Sequence, residues 1–209
     1  MKEIENYILQ HIDEEDEVLR ELDRETNLKV PGARMLSGHL QGKVLTMLSK
    51  MIQPERILEI GTYTGYSAIC LARGLKENGK LITIEADDEL EDIAGRYFMK
   101  SGLQDHIVQI GGFALDIIPS LNETFDLIFL DADKKEYIAY YNLLFDKLKP
   151  GGYILADNTL WSGKVLQPVV PGDDQTAGVV AFNKMVKNDS RVEKVILPLR
   201  DGLTVIRKK

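Results

Sequence analysis

The 209-residue chain contains a single cysteine, Cys70, so it can form no intramolecular disulfide and no zinc site built on several thiolates. This usage favours a reducing compartment and gives a cytoplasmic expectation. No apolar run approaches the roughly 20 residues that cross a bilayer, and Met1-Lys2-Glu3-Ile4-Glu5 lacks a signal-peptide layout, so no membrane partner is expected. Histidines number only three. His11, His39 and His106 are scattered among separate elements and read as surface or helix-end residues. Basic surplus is missing too: 26 Lys plus Arg stand against 33 Asp plus Glu, a formal charge of −7. The excess sits in residues 1–25, where acids dominate, while the remainder is balanced; this argues against non-specific nucleic-acid binding. The acidic run itself reads as a solvated helix face.

What is present is enough for one large core, with 44% hydrophobic residues and about 70% of the surface available for burial. Repeats and long linkers are absent, so residues 1–209 read as one domain. Ile4, Tyr7, Ile8, Ile12, Val18, Leu19 and Leu22 fall near helical spacing over residues 4–22. Val30-Pro31-Gly32-Ala33 breaks the chain, and a second helix runs from Ser37 towards Pro54.

From Arg56 the chain alternates. Strands are predicted at 56–60, 81–85, 107–110, 125–130 and 153–157, with helices at 66–76, from Asp87 to about Ser101, and at 135–148 ended by Lys149-Pro150-Gly151-Gly152. Apolar strands joined by helices imply a parallel sheet with right-handed crossovers. Residues 192–199 and 203–207 are joined only by Arg200-Asp201-Gly202, too short for a crossover, and must form an antiparallel hairpin. The fold class is therefore α/β, a mostly parallel Rossmann-like sheet ending in a hairpin.

In such sheets ligands bind at the carboxyl ends of the strands. The first predicted strand ends in Glu59-Ile60-Gly61-Thr62-Tyr63-Thr64-Gly65. G-x-x-x-G is neither the diphosphate fingerprint nor a P-loop, which sets aside a nicotinamide dehydrogenase. Glu85, ending the second, is placed to take a ribose diol. A ribose without a diphosphate suggests S-adenosylmethionine, whose positive charges suit a turn flanked by Glu59. Asp131-Ala132-Asp133-Lys134 and Asp157-Asn158 end two further strands. Neighbouring parallel strands would gather Asp131, Asp157 and Asn158, three hard oxygen donors that suit Mg²⁺ or Ca²⁺ better than zinc. Cys70 and the tyrosines Tyr137, Tyr140 and Tyr141 read as packing residues.

With Leu58–Ser67, Phe129–Lys134, Asp157–Gly163 and Leu199–Thr204 in view, the chain resembles the metal-dependent class I S-adenosylmethionine O-methyltransferases of the caffeoyl-CoA and catechol type, from about Met35 to the C-terminus. The resemblance implies a seven-stranded sheet whose antiparallel edge is the final hairpin. It implies N-terminal helices (1–53) over the site and a methyltransferase core (54–209). It makes Asp131, Asp157 and Asn158 the metal ligands and Lys134 the base or electrostatic partner of the acceptor hydroxyl. Glu59, Gly61, Tyr63, Ser67 and Asp131 would surround the methionine part of the cofactor, Glu85 the ribose, and Gly112 and Ala114 the adenine. Met35 begins the segment that would fold over the cofactor, and Trp161 would wall the acceptor pocket. The implied acceptor is a small aromatic vicinal diol, and the resemblance also implies a homodimer. Val165–Val180 carries no base, only Lys164 preceding it, which favours a free catechol over a CoA ester. A non-catalytic S-adenosylmethionine-binding module is the alternative from another class.

Overall fold

Runs such as Arg56-Ile57-Leu58-Glu59-Ile60 and Phe125-Asp126-Leu127-Ile128-Phe129-Leu130 bury side chains on both faces, because each strand lies between two helical layers. The structure, a computed structural model, describes residues 2–209. Three helices come first: α1 (Lys2–Leu9), α2 (Glu17–Lys29) and α3 (Gly38–Ile52). An alternating series follows: β1 (Arg56–Ile60), α4 (Tyr66–Ala72), β2 (Lys80–Glu85), α5 (Glu91–Lys100), β3 (Ile107–Gly111), α6 (Ala114–Ile117), β4 (Phe125–Leu130), α7 (Tyr137–Lys147), β5 (Leu148–Ala156), α8 (Asp174–Asn188), β6 (Val192–Leu197) and β7 (Leu203–Lys208).

The seven strands run in the order β3-β2-β1-β4-β5-β7-β6. β1 to β5 are mutually parallel, and β7 pairs antiparallel with β5 and β6, as the short connection required. The chain winds outward from β1 through β2 to β3, then returns to lay β4 on the other side of β1. That reversal is the switch point where a ligand crevice forms. Ile57, Leu127 and Phe129 point into one core with α2 to α5, while Leu58, Ile60 and Ile128 point into the other with α6, α7 and α8.

The N-terminal expectation changes. Instead of one helix over 4–22, the chain breaks after Leu9 and restarts at Glu17, where Asp16 accepts from the backbone N–H groups of Val18 and Leu19. An N-cap satisfies donors that a continuous helix would not leave free. The acidic run is not wholly a solvated face either. Asp13 pairs with Lys43, Asp16 with Arg73, Glu21 with Lys100 and Glu25 with Arg96, and Glu25 also accepts from the Tyr97 hydroxyl. The acids fasten the N-terminal region to α3, α4 and α5.

Lys149–Gly152 does not separate helix from strand but lies inside β5. Phe125 pairs with Leu148, then Leu127 with Tyr153, so the extra residues form a bulge that accommodates Pro150 and the glycine pair. Helix α8, begun by Asp173 accepting from Thr176 N, follows the insertion after Trp161. Cys70 is fully buried and free, its thiol pushed up to about 12 by burial. Among the described residues no helix is long and apolar enough to cross a membrane.

Candidate active site

The strand ends are laced together beyond their ladders. Gly61 N donates to Ile84 O, Gly112 N to Glu85 O, Asp131 N to Ile60 O and Asp157 N to Leu130 O. Gly61, Glu85, Gly112, Asp131 and Asp157 thereby share one edge across the switch point. Gly61 has φ +96°, and a Cβ there would stand 2.2 Å from the Asp131 carbonyl oxygen, so only glycine admits this closeness of β1 and β4.

Glu59 has no exposed surface. Its Oε2 accepts from the Thr83 hydroxyl at 2.6 Å, while Oε1 is buried without a partner. Burial pushes its carboxyl up to about 8, and the nearby Asp131 and Glu85 charges add to this, against the relief given by Ser67 and Thr83. Ser67 itself is buried at the start of α4. Glu85 holds the glycine turn: its Oε2 accepts from Tyr63 N at 2.7 Å, and its Oε1 from Ala86 N and Asp87 N. Tyr63, at φ +49°, donates its hydroxyl to Pro31 O, tying the turn to the break before α3. Met35 ends a one-turn 3-10 helix and is exposed; Ala114 is buried at the start of α6, just beyond Gly112.

The acids of β4 and β5 meet as the topology demands. Asp131 and Asp157 follow the paired residues Leu130 and Ala156. Asp157 is almost wholly buried. Burial and the Asp131 charge raise its carboxyl to about 6, against hydrogen bonds from Gln41 and Asn158 N. Asn158 sits in the left-handed region at φ +56°, a conformation asparagine tolerates. Lys134, also buried, donates to Asp131 Oδ1 and to the Tyr137 hydroxyl, each at 2.8 Å. Burial alone would lower its ammonium, yet the Asp131 carboxylate and Tyr137 outweigh that and hold it above the ordinary lysine value. Of the two roles open to Lys134, this arrangement corresponds to the cation and not to the base.

Two site residues escaped the sequence reading. Tyr137 packs, as expected of it, but its hydroxyl also accepts from Lys134 and shares its one proton between the carbonyls of Leu130 and Asp157. Gln41, on α3, donates to Asp157 Oδ2 at 2.6 Å. Neither has a local signature that would have marked it.

Trp161 opens the insertion at φ +47°, followed by Ser162 at +52°, and its indole N–H is buried without a partner. Leu160 N and Thr159 N donate to Asp201 O and Gly202 O, fastening this loop to the β6–β7 turn. Lys164 is paired with Asp173. A hollow of about 520 Å³ lies at the opposite end of the sheet, among Asp126, Lys149, Tyr153 and α3, and includes none of these side chains. Among the described residues no cluster of three or more His, Cys, Asp or Glu is assembled, so a cation here would rest on two carboxylates and the Asn158 carboxamide.

With a glycine turn at the switch point, Glu85 ending β2 and the buried Glu59 one residue before the end of β1, the chain is a class I methyltransferase, as its relatives show. More narrowly, the chain belongs to the O-methyltransferase family, whose profile matches residues 10–209. It is 36% identical over 205 residues to caffeoyl-CoA O-methyltransferase of Petroselinum crispum, covering 93% of this chain and 85% of that protein. Among solved structures it is similar to the O-methyltransferase TomG of Streptomyces achromogenes, involved in tomaymycin synthesis and in complex with S-adenosylmethionine (TM-score 0.90, 31% identity, 99% of this chain and 96% of that one). It is also similar to an O-methyltransferase from Bacillus cereus in complex with S-adenosylhomocysteine (TM-score 0.90, 30% identity, 99% and 97%).

Proposed function

We propose that the protein moves a methyl group from S-adenosylmethionine to one hydroxyl of an aromatic vicinal diol, with a hard divalent cation, Mg²⁺ by preference, held by Asp131, Asp157 and Asn158. The observation that carries the reading is the placing of two carboxylates at adjacent strand ends, one of them 4% exposed, with Lys134 hydrogen-bonded to Asp131 and not to Asp157. Neighbouring buried carboxylates are costly unless a cation compensates them, and an all-oxygen donor set selects Mg²⁺ over zinc. The unpartnered Glu59 Oε1 likewise fits a cationic ligand group beside it. The cofactor-bound relatives support the cofactor assignment.

S-adenosylmethionine supplies an electrophilic methyl group on a sulfonium, and the dication supplies the charge that makes a phenol oxygen a better nucleophile. The chain does the rest by positioning and electrostatics. Glu85 and the Gly61–Gly65 turn orient the cofactor; Gly112 and Ala114 border its adenine; Met35 covers it. Lys134, protonated and fixed by Asp131 and Tyr137, favours ionisation of the acceptor hydroxyl, whose proton leaves to solvent water; the oxygen then bonds to the methyl carbon as the carbon–sulfur bond breaks. Trp161 walls the acceptor.

A CoA ester is the second reading, favoured by the names of the curated relatives. Against it stands the insertion: Val165–Val180 has no base, and Lys164 is neutralised by Asp173. The test is a panel of free catechols and CoA esters assayed with labelled S-adenosylmethionine, with and without Mg²⁺. Transfer to catechols that needs Mg²⁺ is expected. Transfer undiminished in chelator overturns the metal role, and cofactor binding without turnover on any diol makes the chain a binding module.

A further inference from the structure

Residues far apart in sequence converge behind Asp157. Arg200, in the turn between β6 and β7, donates through Nη1 to Leu36 O at 2.9 Å, to Ser37 O and to Gln41 Oε1 at 3.3 Å. Gln41, 1% exposed, then donates through Nε2 to Asp157 Oδ2 at 2.6 Å. Arginine is only a donor, so its contact fixes which end of the carboxamide is oxygen and which is nitrogen. The amide nitrogen must face Asp157. With Asn158 N on Oδ1 at 2.8 Å, both carboxylate oxygens are held and each keeps a lone pair for another partner. The neutral amide matters as well. Arg200 placed directly on Asp157 would compete with a dication, whereas through Gln41 it orients the carboxylate without neutralising it. Arg200 holds φ +47°, an uncommon backbone for a side chain of its size, which points to the side chain's reach as what the position serves.

We infer that Arg200 and Gln41 are positioning residues: Arg200 straps the Leu36–Gln41 segment to the β6–β7 turn and, through Gln41, sets Asp157 for its cation. Closing the segment over the cofactor and orienting the carboxylate are then one event. The inference rests on the proposed metal role of Asp157.

The test titrates Mn²⁺ into the full-length protein with S-adenosylhomocysteine present, following bound metal by electron paramagnetic resonance, for wild type, Gln41→Leu, Arg200→Met and Arg200→Lys. Outer-shell partners of metal ligands are worth about 10–100-fold in affinity. Gln41→Leu and Arg200→Met are expected to weaken Mn²⁺ binding within that range, and Arg200→Lys by less. Arg34, exposed in the turn ahead of the strap, supplies a readout without metal. S-adenosylhomocysteine should slow tryptic cleavage after Arg34 in wild type and fail to do so in Arg200→Met. Arg200 lies at an exposed turn, so its variants report even if Gln41→Leu does not fold. Folded variants that bind Mn²⁺ as wild type does, with Arg34 still protected, overturn the strap alone. A wild type that binds no Mn²⁺ overturns the metal reading and the strap with it.

Discussion

Lys134 Nζ stands 2.8 Å from Asp131 Oδ1, and both side chains lie at the end of β4, three residues apart. The pair makes Lys134 a fixed cation, because the same carboxylate that orients it holds its proton. Lys134→Met should lower kcat by about 10²–10³-fold, the usual cost of removing one preorganised donor to an oxyanion, here the ionised acceptor oxygen. KM for S-adenosylmethionine should change far less, since Lys134 is not among the residues assigned to it. Steady-state kinetics with labelled cofactor check both. A matched loss in cofactor affinity would mean that Lys134 supports the fold of the site and not the acceptor oxygen.

Asp157→Asn should abolish Mg²⁺-stimulated transfer while leaving the fold intact. The reason is charge: the carboxamide still accepts from Gln41 but contributes no negative charge to a dication. Asp157 faces the Asp131 carboxylate, so removing that repulsion should leave the metal-free protein as stable as wild type or more so. Added Mg²⁺ should raise the melting temperature of wild type and not that of the variant, since only a bound ligand stabilises by mass action. Melting curves with Mg²⁺ and with chelator give the comparison. Equal stabilisation of both proteins would place the cation elsewhere.

Much of this site was legible because the strands are. Ile57–Ile60 and Leu127–Leu130 have no polar alternation, so their ends, Gly61 and Asp131, could be placed before any coordinates. Less visible were features that depend on distant partners. Asp16 interrupts an apolar stripe that continues past it, and nothing local says that it caps a helix and pairs with Arg73. Pro150-Gly151-Gly152 has the chemistry of a stop, yet β5 absorbs it in a bulge because Leu148 still pairs with Phe125. Gln41 lies in no motif, and Arg200 lies in the Leu199–Thr204 motif without a role that the motif assigns; their relation exists only once α3 and the last turn are packed together.

Glu59 sets a pH dependence of stability. Its carboxyl is raised from 4.5 in the open chain to about 8 in the fold, first by burial. The fold therefore favours the protonated acid. Its stabilising share is complete below about pH 4.5, falls as pH rises, and is gone above about 8, where folding must bury a carboxylate. Glu59→Gln keeps a polar group beside Thr83 and cannot ionise. Between pH 5 and 9 the melting temperature of the cofactor-free wild type should fall relative to the variant, the gap closing towards pH 5. Parallel profiles would mean that Glu59 is ionised in the folded chain throughout.

The same substitution in two helices should have opposite signs. Gly95 lies in α5 with an ordinary backbone, and a Cβ there meets nothing within 4 Å. Gly95→Ala removes backbone freedom from the unfolded chain and should stabilise by about 0.4–1 kcal/mol. Gly178 lies in α8, and a Cβ there would stand 2.3 Å from the Lys134 carbonyl oxygen and 2.6 Å from Lys135 Cα. Those atoms are backbone and cannot rotate away. One turn earlier on the same helix, Gln175 accepts from Lys134 N and donates to Asp133 Oδ1, so α8 is clamped onto the loop that carries Lys134. Gly178→Ala must prise the two apart, which should leave a net destabilisation of about 1–3 kcal/mol by the measure of overpacked cores, in place of the gain that alanine brings to an unobstructed helix position. Denaturant unfolding gives the two signs. Turnover separates packing from positioning: Gly95→Ala should keep wild-type kcat, whereas Gly178→Ala should lose kcat because Lys134 shifts with its loop. A stabilised Gly178→Ala with full kcat would show that α8 can move away without carrying Lys134 along.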